Sequence, residues 1–259
     1  MTKIQVNSSG KAIMLNNKAL IASESGITPT GTISISQNGT YDVTNYASAD
    51  VNVLGEASSK YGATVDSFLG DVDANGVLQF PTGQADLVFD GVTEVISFGM
   101  QYKFYRCYGI NSVSFPNLTQ VYHYGTGEGY EFSNAFTDCK LTSINFPVLS
   151  YIGSSRAFYN AFGGTTLTSA TFPALANVSG TYSFNLTFAF CSKLKSLYFP
   201  AFLGNSSANA SFNNMLINTH DCVVHFPSNT QSVIGSWSSV TDGFGGSNTT
   251  VLFDLPATT

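Results

Sequence analysis

The dipeptide Phe-Pro recurs five times between residues 115 and 227, at Phe115-Pro116, Phe146-Pro147, Phe172-Pro173, Phe199-Pro200 and Phe226-Pro227, at spacings of 31, 26, 27 and 27 residues. Each copy closes a short apolar run. A recurrence of this length marks a repeat architecture. One such unit is too small to bury its own apolar side, so units bury theirs against their neighbours. The expected fold is therefore a mainly β solenoid. Its long wall suits contact with something large, which points to binding rather than chemistry.

Aligned on the Phe, four copies read Ile110 to Leu118, Leu141 to Leu149, Leu167 to Leu175 and Leu194 to Phe202, in a Leu-x-x-Leu-x-Leu-x-x-Leu frame. The fifth, Asp221 to Asn229, has lost both outer apolar positions. Apolar residues two apart in the middle of the frame demand an extended strand with alternating sides. Proline after the Phe brings no N–H to a ladder, so the strand is expected to stop there. One short parallel strand per unit follows. Ahead of each strand stands a second cluster: Phe132-Ser-Asn-Ala-Phe136, Phe158-Tyr-Asn-Ala-Phe162, Leu186-Thr-Phe-Ala-Phe190 and a weaker Phe212-Asn-Asn-Met215. Apolar residues four apart share one face of a helical turn, so a short helix or 3₁₀ turn is expected there. Stacked rings would then fill the interior, which accounts for 21 Phe against one Trp.

The stretches Ala135-Phe-Thr-Asp-Cys139-Lys-Leu141 and Ala189-Phe-Cys191-Ser-Lys-Leu194, each followed by the strand frame, resemble the BspA-like, or Treponema-type, leucine-rich repeat family. Phe stands where that family often has Ile or Leu. The resemblance covers about residues 92 to 230 and implies parallel strands with short helical or 3₁₀ turns, a bacterial or phage surface location and an adhesive role. Segments such as Val121 to Tyr130 are longer than the family's usual connections.

Only 10% of residues are charged, while the hydrophobic 43% suffices for a continuous core. The net charge of −6 argues against nucleic acid, whose phosphates require a basic face that ten Lys and Arg do not supply. No run of about 18 apolar residues is present, so no membrane insertion is expected. The polar start, Met1 to Gly10, has no apolar core of a secretory leader, so none is expected in this chain.

Along the chain, residues 1–55 read as small β modules, 56–63 as a linker, 64–100 as an N-terminal cap, 101–230 as the repeats and 231–259 as a C-terminal cap. Lys3 to Val6 and Ala12 to Leu15 flank Ser9-Gly10 as a hairpin, with Lys18 to Ile21 following. Thr32 to Ser36 and Thr40 to Val43 flank Asn38-Gly39, a strong hairpin signal, with Ala49 to Val53 as a third strand. So small an antiparallel module leans on a neighbour or forms a homo-oligomer. Its wording from Asn38 to Val53 is similar to a short repeat in tail and minor structural proteins of phages and prophages of Gram-positive gut bacteria. Gly76 to Pro81 reads as a degenerate sixth Phe-Pro, Ala85 to Phe89 as a further strand and Asp242 to Ser247 as a glycine-rich loop.

Reactive constellations are sparse, and the expectation is no enzyme, no cofactor and no metal. Asp71, Asp73 and Asn75 match the first half of a calcium loop, but its twelfth position is Thr82 rather than a bidentate Glu. His220, Cys222 and His225 crowd together, yet strand alternation would send Cys222 and His225 to opposite faces. Glu128, Glu131 and Asp138 could form a glycosidase pair, against the default of solvated loop charges. Cys107, Cys139 and Cys191 fall at equivalent repeat positions and read as small core residues; Cys222 is out of phase and reads as capping.

The outward residue before each Phe varies: Ser114, Asn145, Thr171, Tyr198 and His225. Two residues earlier a nearly uniform row runs Ser112, Ser143, Ser169, Ser196 and Val223. The varied row is one candidate ligand surface. The other is the set of loop tyrosines Tyr122, Tyr124, Tyr130, Tyr159 and Tyr182, rigid amphipathic rings of the kind paratopes use. The expected function is adhesion: a tail-associated phage or prophage component recognising a bacterial surface. A bacterial cell-surface adhesin for a host protein or glycan is the alternative, and a solenoid glycan hydrolase the third reading. The location expected is extracellular, on a virion or a cell surface.

Overall fold

The computed structural model describes residues 110–123, 129–204 and 206–258, and earlier in the chain the segments 4–6, 12–15, 18–22, 31–34, 39–42, 71–72, 78–79, 85–89, 92–96, 100–102 and 104–105. These residues form mostly parallel β-sheets with a few short helical turns and no closed barrel. β1 (Ile4–Val6), β2 (Ala12–Leu15) and β3 (Lys18–Ala22) make an antiparallel meander with Ile4 opposite Leu15. The antiparallel pairing expected of these strands is therefore present, while Ser9 and Gly10 lie outside the described residues.

The Asn38-Gly39 hairpin is not formed. β4 (Gly31–Ser34) and β5 (Gly39–Asp42) do not pair with each other and lie in different sheets. β6 (Asp71–Val72) and β7 (Leu78–Gln79) form a small antiparallel pair. β8 (Ala85–Val88) pairs in parallel with β4, and β9 (Val92–Ile96) with β5. An Asn-Gly turn favours antiparallel return locally, but a two-stranded ribbon is marginal by itself, and pairing along β8 and β9 joins each strand to a larger sheet. Residues 43–70, including the expected third strand at Ala49 to Val53, lie outside the described residues.

The first three Phe-Pro repeats contribute two strands each rather than one. β10 (Ile110–Ser114) is followed by β11 (Gln120–Tyr122), β12 (Ser143–Asn145) by β13 (Tyr151–Ile152), and β14 (Ser169–Thr171) by β15 (Asn177–Val178). β16 (Ser196–Tyr198), β17 (Val223–Pro227) and β18 (Thr250–Leu255) complete the set. The strands before the Phe-Pro run in the orders β12-β10-β8-β4 and β14-β16-β17-β18. Those after it form one sheet, β15-β13-β11-β9-β5. Between the two strands of a repeat, proline forces the corner: Leu118 N–H donates to the Phe115 carbonyl, and Leu175 N–H to that of Phe172. Pro227 departs from the rule, remaining inside β17 at a register irregularity opposite Leu255, where a bulge tolerates a missing N–H.

The nine-residue frame points inward as its spacing requires. Ile110, Leu118, Leu141, Leu149, Leu167, Leu175, Leu194 and Phe202 are all fully buried. The rings between them stack from repeat to repeat: Phe89 on Phe115 at 4.3 Å, Phe115 on Phe146 at 5.2 Å, Phe146 on Phe172 at 5.9 Å, Phe172 on Phe199 at 5.5 Å and Phe199 on Phe226 at 5.4 Å. Phe89 thus fills the slot before Phe115; Phe80 lies outside the described residues. A second column, Phe132, Phe158, Phe184 and Phe212, stands edge-on to the first. A third holds Phe104, Phe136, Phe162 and Phe188. Edge-to-face contact between columns and offset stacking within them are the two arrangements aromatic quadrupoles favour.

The third copy of the Phe-x-x-x-Phe cluster is therefore Phe184 and Phe188, two residues earlier than Leu186 and Phe190. Phe190 is 61% exposed. These segments are not helices either. Left-handed residues recur every fourth position, as in Tyr130, Asn134 and Asp138 (φ 56°, 52° and 59°) and in Tyr182, Leu186 and Phe190 (φ 57°, 59° and 59°). Alternate N–H groups close their own turn, as Ala135 to Phe132, or cross to the next repeat, as Phe136 to Ala161 at 2.8 Å. A helix would spend both sets internally; the lateral ladder wins because it ties neighbouring repeats together. Among the described copies, only Ser206–Phe212 forms a 3₁₀ helix.

At the C-terminal end Trp237 stacks on Phe212 at 5.8 Å and Phe253 on Phe226 at 6.1 Å. The glycine-rich segment is more than a loop. It contains a 3₁₀ turn, Gly243–Gly245, that buries Phe244 completely.

Candidate binding surface

Parallel register carries the outward residue of each strand onto the next. Ser114 lies beside Asn145, Thr171 beside Tyr198, Tyr198 beside His225, and His225 beside Leu252. Ser112 and Ser143 are paired likewise, as are Ser169, Ser196 and Val223. Asn145 and Thr171 are exposed, and Ser114, Tyr198 and His225 are half-buried. The Asn145 amide donates to Ser114 Oγ at 2.9 Å. Tyr198 and His225 stack ring on ring, 4.4 Å apart and 8° from parallel.

His225 Nδ1 lies 2.9 Å from Asp254 Oδ1 and 3.0 Å from Oδ2. An ionised carboxylate can only accept, so Nδ1 carries the hydrogen and the imidazole is held in that orientation. Asp254 was invisible to a reading of the repeat, because it lies two residues beyond Leu252 on a strand that has no Phe-Pro. Beside this pair, Lys195 Nζ and Asp221 Oδ2 approach to 3.7 Å at the surface.

The loop tyrosines divide. Tyr124 lies outside the described residues. Tyr122, half-buried, ends β11 in the other sheet. Tyr130 and Tyr182 occupy equivalent left-handed positions two repeats apart, with Arg156 between them. The Arg156 guanidinium lies 5.5 Å from the Tyr130 ring centre and 5.9 Å from that of Tyr182, and its Nη1 donates to the Tyr130 hydroxyl at 2.7 Å. Burial pushes the Tyr130 phenol up, with the hydroxyls of Tyr159 and Tyr102 adding to the effect. Arg156 was missed because arginine among tyrosines has no period of its own; its signal was a cation in the column that elsewhere holds tyrosine. The strand row and the turn tyrosines therefore belong to different sides of the repeat.

Several candidate reactive groups turn out to be structural. Glu131, expected as a solvated loop charge, is fully buried. Desolvation raises its carboxyl to about 8, against a bond from Ser154 Oγ at 2.8 Å. Glu128 lies outside the described residues. Cys139 Sγ donates to the Phe104 carbonyl at 2.9 Å and Cys191 Sγ to that of Phe162 at 3.1 Å, with Thr219 Oγ1 making the same bond to Phe188. Cys107 lies outside the described residues. Cys222, buried beneath the strand whose His225 faces outward, has its thiol pushed up to about 12 by burial. His225 and Cys222 are thus on opposite sides of the strand. Among the described residues no cluster of three or more His, Cys, Asp or Glu is placed to hold a metal ion, and no helix is long and apolar enough to cross a membrane.

No family model, curated protein or solved structure matches the chain. The chemistry of its surface therefore stands alone. Its outward hydroxyl, amide and aromatic groups, set at strand steps on β10/β12 and on β14/β16/β17, can bind by stacking and hydrogen bonding.

Proposed function

We propose that this chain is a non-enzymatic adhesive protein, a leucine-rich solenoid of the BspA-like kind behind a small antiparallel module, carried on a phage or prophage tail to recognise a bacterial surface. The observation that carries the reading is the outward face formed by two sets at strand intervals, Ser114 with Asn145 and Thr171 with Tyr198 and His225, over a core of stacked phenylalanines. Rigid spacing of this kind lowers the ordering cost of binding an extended partner. The wording of Asn38 to Val53 supports the tail assignment, and virion exposure would match the low charge. The turn-side Tyr130, Arg156 and Tyr182 are held by one another, which favours the strand face as the site.

Sedimentation of the purified protein with Gram-positive gut bacteria, with their isolated wall polymers and with host mucin tests the reading. Capture by bacterial cells or polymers is the expected result. Capture by mucin alone would replace the tail assignment with a bacterial adhesin for host glycans, and release of sugar fragments would replace both with a hydrolase.

A further inference from the structure

Resting on the strand-face reading, we propose that Asn145 and Tyr198 are the walls, and Thr171 the floor, of a slot that takes a single pyranose ring of an uncharged glycan. Along the outward row two of the steps are closed. Asn145 is tied to Ser114 by a hydrogen bond, and one face of Tyr198 is covered by His225. The other face of Tyr198 looks along the row toward its register partner Thr171, a small and exposed residue. Beyond Thr171 the backbone ladder is interrupted. β12 and β14 are not sheet partners, whereas their counterparts behind the Phe-Pro corner, β13 and β15, are. Inside, the column stays continuous across this interruption, with Phe146 stacked on Phe172 at 5.9 Å.

Two strand steps place Asn145 and Tyr198 roughly 10 Å apart. A ring sandwiched at van der Waals distance on both sides needs about 7–8 Å. One saturated ring with its hydroxyls fits that interval; a pair of stacked rings does not. The lining matches a sugar. Tyr198 offers an aromatic face for axial C–H groups, Thr171 a hydroxyl and Asn145 an amide that both donates and accepts. Ser143 and Ser169 stand exposed in the adjacent row. Lys195 and Asp221 approach each other at 3.7 Å, and the Asp254 carboxylate is turned to the His225 ring, so no side chain of the slot itself carries a charge. Asp254 acts as a positioning residue: by fixing His225 it fixes the ring that backs Tyr198.

Saturation-transfer NMR with tetrasaccharides of glucose, galactose, mannose and N-acetylglucosamine tests this. The native protein and Tyr198→Phe are expected to bind at least one of them, with transfer to ring C–H protons. Thr171→Phe, which fills the slot and extends the ring stack, and Tyr198→Ala are expected to lose at least tenfold in affinity. Thermal unfolding of Thr171→Phe, altered at an exposed residue, controls for folding. Undiminished binding by Thr171→Phe, or no binding of any tetrasaccharide by the native chain, would overturn the slot. Cell capture that persists in Thr171→Phe removes the slot from recognition while leaving the adhesive reading. Sugar binding without cell capture does the reverse.

Discussion

Ser154 Oγ donates to Glu131 Oε1 at 2.8 Å, in a place where neither residue reaches solvent and the second carboxylate oxygen of Glu131 has no partner. The glycine at 129 leaves the space for it: a Cβ there would lie 2.2 Å from Oε1. A carboxyl so placed favours its neutral form.

Stability should therefore fall as pH rises. Burial lifts the Glu131 carboxyl in the folded chain to about 8, whereas in the unfolded chain it keeps the ordinary value near 4.5. Below about pH 4.5 both states hold the proton and the group contributes no penalty. Between the two values only the folded state holds it, so unfolding free energy declines with pH, and above about 8 the loss is complete. The expected size is a few kcal/mol. Urea unfolding at pH 5, 7 and 9 measures it, and Glu131→Gln should flatten the slope; an equal slope in both proteins would assign it elsewhere.

Phe146 touches rings in all three columns, Phe115 and Phe172 in its own, Phe132 and Phe158 in the second and Phe162 in the third. Phe146→Ala should cost about 3–5 kcal/mol. Phe253, at the end of the column and only partly buried, should cost clearly less on the same change. Chemical denaturation of the two variants compares them.

Phe190 combines a left-handed backbone (φ 59°) with an exposed side chain. Its equivalents are Asp138, Gly164 and Asn218, residue types that tolerate this conformation. Phe190→Asn should raise stability by about 0.5–1 kcal/mol, a rise in Tm of roughly 2–4 °C. A fall in Tm would show that the exposed ring is packed in the native protein.

Cys139, Cys191 and Cys222 are buried thiols outside any disulfide, and burial raises those of Cys191 and Cys222. At pH 8 in native buffer these three should resist Ellman's reagent, and react once guanidinium unfolds the chain. Rapid labelling of any of them before unfolding would mean that its cover opens. Mass spectrometry of peptides after alkylation reads each site separately.

Repeats, inward frame and outward row were legible because each follows from a recurring nine-residue frame that alternates in its middle and carries a proline at its seventh position. The second sheet was not. Its strands β11, β13 and β15 carry one buried residue each, Val121, Ile152 and Val178, and a two- or three-residue strand has no alternation to detect. The recurring Leu-x-x-Val or Leu-x-x-Ile after the Phe-Pro, at Leu118, Leu149 and Leu175, was the available signal. The Leu186 frame slipped by two because Phe188 belongs to both Phe184-x-x-x-Phe188 and Leu186-x-Phe188-x-Phe190, and local apolar spacing does not say which ring faces in.

By itself, then, the order of residues determined which side chains must be hidden and at what interval, since burial depends on periodicity that the chain carries locally. Only the tertiary structure decided where β4 and β5 pair, which turn residues are left-handed, that Glu131 is enclosed and that Asp254 meets His225. Each of those depends on a neighbour 23 or more residues away, and such contacts are settled by the lateral ladder between repeats, where backbone groups choose a partner in the next repeat over one in their own.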